Sequence, residues 1–312
     1  MNGAQVLDVA RDGIWVMILI AAPMMIAGLG WSHWSALIGA LTAALALTAV
    51  FGSMFFFAFL ASAGLPAWWL GYLAMLARPA GAGGNGGAPA LEWYPPGRLV
   101  MWASLIAVLV VVVAIANFGL DAASFRSGLQ HALAQLLQAE SGSPGEPLKL
   151  PGISNPQKLI DFLVAAIPPA AAVFATLTNI VNLWLAGRIV MFSGRLARPW
   201  PQIPAMTLPR PLAGAFGVAV ALSLFGGMIG IIAGVASAGL AIAFSVLGFA
   251  VLHAITQGMN ARALLLGGVY AAVLVFGWPV LVLCLLGLVE TVVGVRTRVA
   301  RMRLPPPGGG KV

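Results

Sequence analysis

Residues 105–116 read LIAVLVVVVAIA, twelve apolar side chains in a row. A strand of a membrane barrel alternates apolar and polar residues over about ten positions, and this run does not alternate. It belongs to a longer block, Leu99 to Gly119, that holds no charged side chain. Ile14 to Gly30, Trp34 to Met75 and Leu212 to Ile255 are equally free of charge. A bilayer core of ~30 Å takes about 20 apolar residues per helix, and lipid offers no partner to an unpaired backbone group. The sequence therefore predicts an all-α, polytopic transmembrane helix bundle.

Composition agrees. Of 312 residues, 61% are hydrophobic and 8% charged, against about 25% charged in a soluble domain. The net charge of +8 does not point to nucleic acid, because the basic residues lie between and after the apolar blocks. The one cysteine, Cys284, excludes an internal disulfide and reads as a small buried hydrophobe. Thirteen arginines against three lysines, with 38 glycines, suit a GC-rich bacterial genome.

Charge also orients the chain. Residues 187–211 carry Arg188, Arg195, Arg198 and Arg210 without an acid, and the tail after Glu290 carries Arg296, Arg298, Arg301, Arg303 and Lys311 without one. The positive-inside rule puts both on the cytoplasmic side of a bacterial inner membrane. Residues 120–158, with Asp121, Glu140 and Glu146, are expected outside. Within them 121–140 reads as an amphipathic helix along the outer interface, with Phe125, Leu129, Leu133, Leu136 and Leu137 on one face.

Parity then demands two crossings over Leu212 to Ala233 and Val235 to Thr256, turning near Gly234. It also demands two short crossings or a hairpin over Ala263 to Gly294, with the corner at Gly277-Trp278-Pro279. Ile14 to Gly30 reads as a retained anchor. Trp34 to Leu76 holds two long or three short spans, with breaks near Gly52-Ser53 and Gly64-Leu65-Pro66. The expected total is eight to nine helices plus the outer amphipathic one, in a single membrane domain over 1–304. Residues 78–98 form a glycine-rich cytoplasmic loop, and 305–312 a disordered tail. Residues 80–90 (AGAGGNGGAPA) lack the GK[ST] ending of a phosphate loop.

Catalytic signatures are missing: there is no HExxH, no GxSxG, and His33, His131 and His253 are scattered. The chain is not expected to be an enzyme or to hold a metal or cofactor. Polar residues at membrane depth are the better lead, because each is costly there. Thr178, Asn179 and Asn182 share one helix face, His253 and Gln257 are four apart, and Glu290 is the lone acid of the last apolar block. Asn179, Asn182, His253 and Glu290 are thus the ligand-binding candidates. Interhelical hydrogen bonds, ~0.6 kcal/mol each on average, account for the same residues without a ligand, and Glu290 can pair with Arg296 or Arg298. Small residues at four-residue spacing mark helix contacts: Ala36, Ala40 and Ala44; Gly226, Gly230 and Gly234; and Ala213, Gly217 and Ala221.

Three segments carry a family resemblance: LPAWWLGYLAMLARP followed by EWYPPGRLVMW (65–79 and 92–102), NLWLAGRIVMFSGRLARPWP (182–201) and LGLVETVVGVRTR (286–298). Together they resemble the alphaproteobacterial branch of the YybS-like predicted membrane proteins. That family is distantly similar to the S-components of energy-coupling-factor transporters, which capture a solute in a helical bundle and dock on a membrane partner. The resemblance implies a solute-binding membrane subunit whose ATP hydrolysis comes from another chain. It carries over no ligand residue, and the alanine ridge it expects on the first helix stands one helix later. A non-enzymatic envelope or assembly factor, acting through helix and loop contacts, is the alternative. An intramembrane enzyme or ion-coupled carrier would have to rely on Glu290. Expected partners are the lipid bilayer, other membrane subunits and a small molecule the sequence does not specify.

Overall fold

A computed structural model describes residues 20–80, 91–141 and 155–303. The first six residues of the Ile14 to Gly30 anchor reading, the glycine-rich stretch 81–90 and the 305–312 tail lie outside them. The described chain is a helical bundle: α1 (Ala22–Gly30), α2 (His33–Phe51), α3 (Met54–Phe59), α4 (Leu65–Ala74), α5 (Pro96–Ala116), α6 (Ala122–Ser141), α7 (Pro156–Phe192), α8 (Arg210–Ser223), α9 (Gly227–Ile255), α10 (Arg262–Phe276), α11 (Pro279–Val293) and α12 (Val295–Arg303). Five spans, α2, α3 with α4, α5, α7 and α9, are long and apolar enough to cross a membrane; α11 and α12, bent by 73°, make a sixth if taken as one. The 15-residue α10 and 14-residue α8 are apolar but short: at 1.5 Å per residue they reach about 21–23 Å.

The Trp34 to Leu76 stretch resolves into two spans. The chain breaks at Gly52-Ser53, whereas Gly64-Leu65-Pro66 does not break it. Residues Leu60–Gly64 form a π turn that joins α3 to α4. Pro66 lacks an N–H and its ring crowds the preceding turn, so a locally widened turn keeps the rod continuous.

The turn expected near Gly234 is instead ten residues earlier, at Leu224 to Gly226. Paired glycines after Ser223 end one helix there, while Gly234, isolated in an apolar run, stays helical inside α9. The corner at Gly277-Trp278-Pro279 forms as expected. Gly277 takes φ +71°, a conformation its neighbours would not adopt, and Pro279 starts the next helix. A short ribbon pairs Ala77–Pro79 (β1) with Leu91–Trp93 (β2) at the base of the glycine-rich loop. Its Arg78–Glu92 ion pair is fully exposed, so it contributes little.

Helix α9 is the axis of the molecule: 61% of its spanning window is buried, against 17% for α2. One cluster joins α1, α2, α4, α5 and α7 around Met25, Leu70 and Val190; a second joins α5, α8, α9 and α11 around Phe244, Leu247 and Val251. A third takes in α6, the expected amphipathic helix. Phe125 and Leu129 are buried against Val111, Ile115, Val164 and Val235. Much of the apolar face of this helix is thus spent on the bundle, leaving Leu136 exposed.

Candidate functional site

The polar residues predicted at membrane depth do not converge on one cavity. Asn182 is fully buried and Asn179 nearly so, in α7. Asn179 Nδ2 donates to the Ala103 carbonyl of α5 at 3.3 Å. Neither asparagine lines the two principal cavities. Two residues that spacing did not single out, Ser104 and Thr176, stand near them, both fully buried and both against Gly239 of α9. This is a polar layer between helices. Replacing Asn179 with leucine is therefore expected to shift thermal stability, with a lost hydrogen bond worth about 0.6–2 kcal/mol, and to leave ligand retention unchanged. A ligand-retention loss at constant melting temperature would contradict that placement.

His253 lies elsewhere, at the end of α9. Its Nδ1 is 2.9 Å from the Phe249 carbonyl and its Nε2 is 3.4 Å from Tyr270 Oη. Glu290 is committed to an ion pair: Oε1 accepts from Arg296 Nε at 2.8 Å and Oε2 from the Arg296 backbone N–H at 3.0 Å.

The small-residue ridges part company. Ala36, Ala40 and Ala44 are fully buried, Ala36 facing Gly28 of α1 and Ala40 facing Gly64 at the end of the π turn. Gly226 and Gly234 have no neighbour within 4 Å of a would-be Cβ; with Gly230 they line a groove of about 450 Å³ beside Pro168, Pro169, Gln130 and Asp161. Gly217 and Ala221 point outward from α8. The close helix approaches use other glycines, Gly248 of α9 and Gly287 of α11.

The cavity with the stronger chemical character lies beneath the loop between α7 and α8. It holds about 350 Å³ and is lined by Leu99, Val100 and Ala103 of α5, Ile180 and Leu183 of α7, and Leu196, Arg198, Trp200, Pro201, Ile203 and Met206 of the loop. Its one charged wall residue is Arg198, only 9% exposed. Arg198 Nη1 donates to the Ala74 carbonyl at 2.7 Å and Nη2 to the Tyr94 carbonyl at 3.3 Å, so the loop is tied to the end of α4 and to the β2–α5 corner. Its Nε is buried without a partner. Burial pulls this guanidinium below its ordinary value, but an arginine stays charged in proteins.

Around the cavity runs a belt of arginine and aromatic rings. Arg188 stands over Phe192 at 4.9 Å and Trp200 at 5.2 Å, and Arg195 over Trp31 at 4.6 Å. Tryptophan and arginine together mark the depth of a membrane–water interface. Sequence reading treated Arg198 only as one positive charge of a cytoplasmic loop. The available signal was its setting in RPWP (198–201), where two prolines hold an arginine and a tryptophan on a stiff segment.

Compared with family models, curated proteins and solved structures, the chain finds no match in any of the three.

Proposed function

We propose that this chain is the solute-binding membrane subunit of a transporter, with the cavity beneath Arg198 as its ligand site. The observation that carries the reading is a cavity of about 350 Å³ inside a helical bundle, apolar except for one buried cation. Binding sites of small molecules have this form, concave and apolar with few polar groups. The resemblance to the YybS-like proteins, and through them to transporter S-components, points the same way. The sequence has no phosphate loop, so ATP hydrolysis falls to a partner subunit. In this reading the block from Ile14 and the shorter α8, α10 and α11 complete eight to nine crossings, with the arginine-rich loop and the C-terminus on the cytoplasmic side of a bacterial inner membrane.

A specific observation supports the alternative, a membrane assembly factor. Helix α10 has no buried residue, and Leu264, Leu274 and Val275 are more than 70% exposed. A helix so placed presents its surface to lipid or to another membrane protein. Affinity purification of the full chain in mild detergent separates the two. ATPase subunits are expected to co-purify; their absence, with other envelope proteins captured through α10, would replace the transporter reading with the assembly one.

A further inference from the structure

The wall at Arg198 restricts what the cavity can hold. Every other lining residue is apolar, aromatic, proline or glycine. A sugar or a vitamin, with hydroxyls and amides on several sides, would find little beyond Arg198 and the indoles of Trp184 and Trp200 to replace its water, and each unpaired polar group costs free energy when buried. Arg198, in contrast, suits an anion, although the Trp93 ring 5.9 Å away already faces its charge. Its two bonded partners are neutral carbonyls, and among the described residues no carboxylate pairs with it. A cation held in apolar surroundings without a counter-charge is costly, and charge-assisted bonds from a guanidinium to carboxylate or phosphate are among the stronger ones available.

The way in is also marked. Val181, Trp184 and Ile203 line the cavity and are 44%, 54% and 39% exposed. They open it sideways between α7 and the loop, toward the hydrophobic exterior of the bundle. The Arg188 and Trp200 belt sets this opening at the depth of lipid headgroups.

We propose that the cavity binds an anionic amphiphile from the bilayer, its acyl chain along Leu99, Val100 and Leu183 and its carboxylate or phosphate held against the Arg198 guanidinium. This deepens the transporter reading and rests on the cavity being its ligand site. A free fatty acid and an anionic phospholipid share that chemistry.

Native mass spectrometry of the full chain, released from mild non-ionic detergent, tests it with three probes: oleate, phosphatidylglycerol and neutral monoolein. One or both anions should be retained at least about tenfold better than monoolein, the scale of a charge-assisted hydrogen bond. Retention of oleate alone assigns the site to free fatty acids, and of phosphatidylglycerol alone to phospholipid. Arg198→Leu should erase the preference, and Arg198→Lys should retain part of it, keeping charge but losing the planar fork. Arg198→Leu also strips the Ala74 and Tyr94 carbonyls of their donor and can misfold. Val181→Trp, at the exposed mouth, therefore gives an independent test and should reduce retention of whichever anion binds, with both variants first shown monodisperse.

Equal retention of all three probes, or an anion preference that survives Arg198→Leu, overturns the inference. If Val181→Trp displaces probes that bind without regard to charge, the anion falls while the cavity stands as the ligand site. If no probe is retained, or Val181→Trp changes nothing, the cavity falls too, whatever the co-purification shows.

Discussion

Replacing Gly287 with leucine should leave little folded protein to purify, because the position has no room even for a methyl group. A Cβ there would run into the Phe244 carbonyl and the Gly248 amide nitrogen of α9; a Cβ on Gly248 would run into the Leu283 carbonyl of α11. The obstacles are backbone atoms, which cannot rotate away as a side chain can. Helices meet this closely when small residues face each other, and here the approach also lets Ser245 Oγ reach the Val280 carbonyl at 3.0 Å. Overpacking a core usually costs about 1–3 kcal/mol. Gly287→Ala should reach the upper end of that range and Gly287→Leu should exceed it. Cys284, 4% exposed on the same helix, reports the separation. In the wild type its thiol should resist maleimide until the bundle melts, and in Gly287→Leu it should label at once. Gly217→Ala, where nothing lies within 4 Å, is the control, expected within about 0.5 kcal/mol of wild type. A Gly287→Leu protein with wild-type melting and a protected Cys284 would show that the α9–α11 crossing is not as close as described.

The second large effect is expected at Arg296. Its guanidinium holds two other parts of the chain together: Glu290 at the end of α11, and the Pro204 and Met206 carbonyls, at 2.5 and 2.8 Å, in the loop that covers the Arg198 cavity. The two side chains are 15% and 9% exposed. Arg296→Leu therefore leaves a buried carboxylate without its counter-charge and two carbonyls without their donor. Removing one partner of a buried pair costs about 3–5 kcal/mol, mostly from the charge left behind. The double variant Glu290→Gln, Arg296→Leu should recover part of that loss, since no net charge then remains buried. Thermal melting measures the recovery, and limited proteolysis at 193–209 measures release of the loop. Because Ile203 and Met206 line the cavity, probe retention should fall in parallel with loop release. If the double variant melts no higher than Arg296→Leu alone, the stranded charge is not the source of the cost.

Much of this architecture is legible in residue order. Long uncharged blocks force helices, because backbone groups in lipid have no partner but their own chain. Gly52-Ser53 and Gly277-Trp278-Pro279 break where glycine and proline leave no alternative. Misplacing the α8–α9 turn at Gly234 shows the limit of that logic. A lone glycine inside an apolar helix is tolerated, whereas glycines paired after Ser223 are not, and parity of charge counts crossings without locating turns.

The site was less legible for a related reason. In a soluble helix the polar face shows which side is buried; α9 is apolar all round, so its sequence does not say whether Gly234 or Gly248 meets a neighbour. Asn182 and Arg198 differ in the same way. Both are polar residues among hydrophobes, and spacing along one helix cannot say that the first joins a helix contact while the second, in a loop, folds back onto a cavity.

Residue order alone determined that the chain forms membrane-length helices, where several end, and that the arginines fall between and after the apolar blocks. Those are local consequences of hydropathy, backbone geometry and charge. Only the tertiary structure decided which glycines touch, that Glu290 is held by Arg296, and that Arg198 rather than the asparagine pair faces a cavity. Each of these depends on residues far apart in the chain, Arg198 with Ala74 and Arg296 with Pro204, whose meeting is set by helix packing and not by any sequence period.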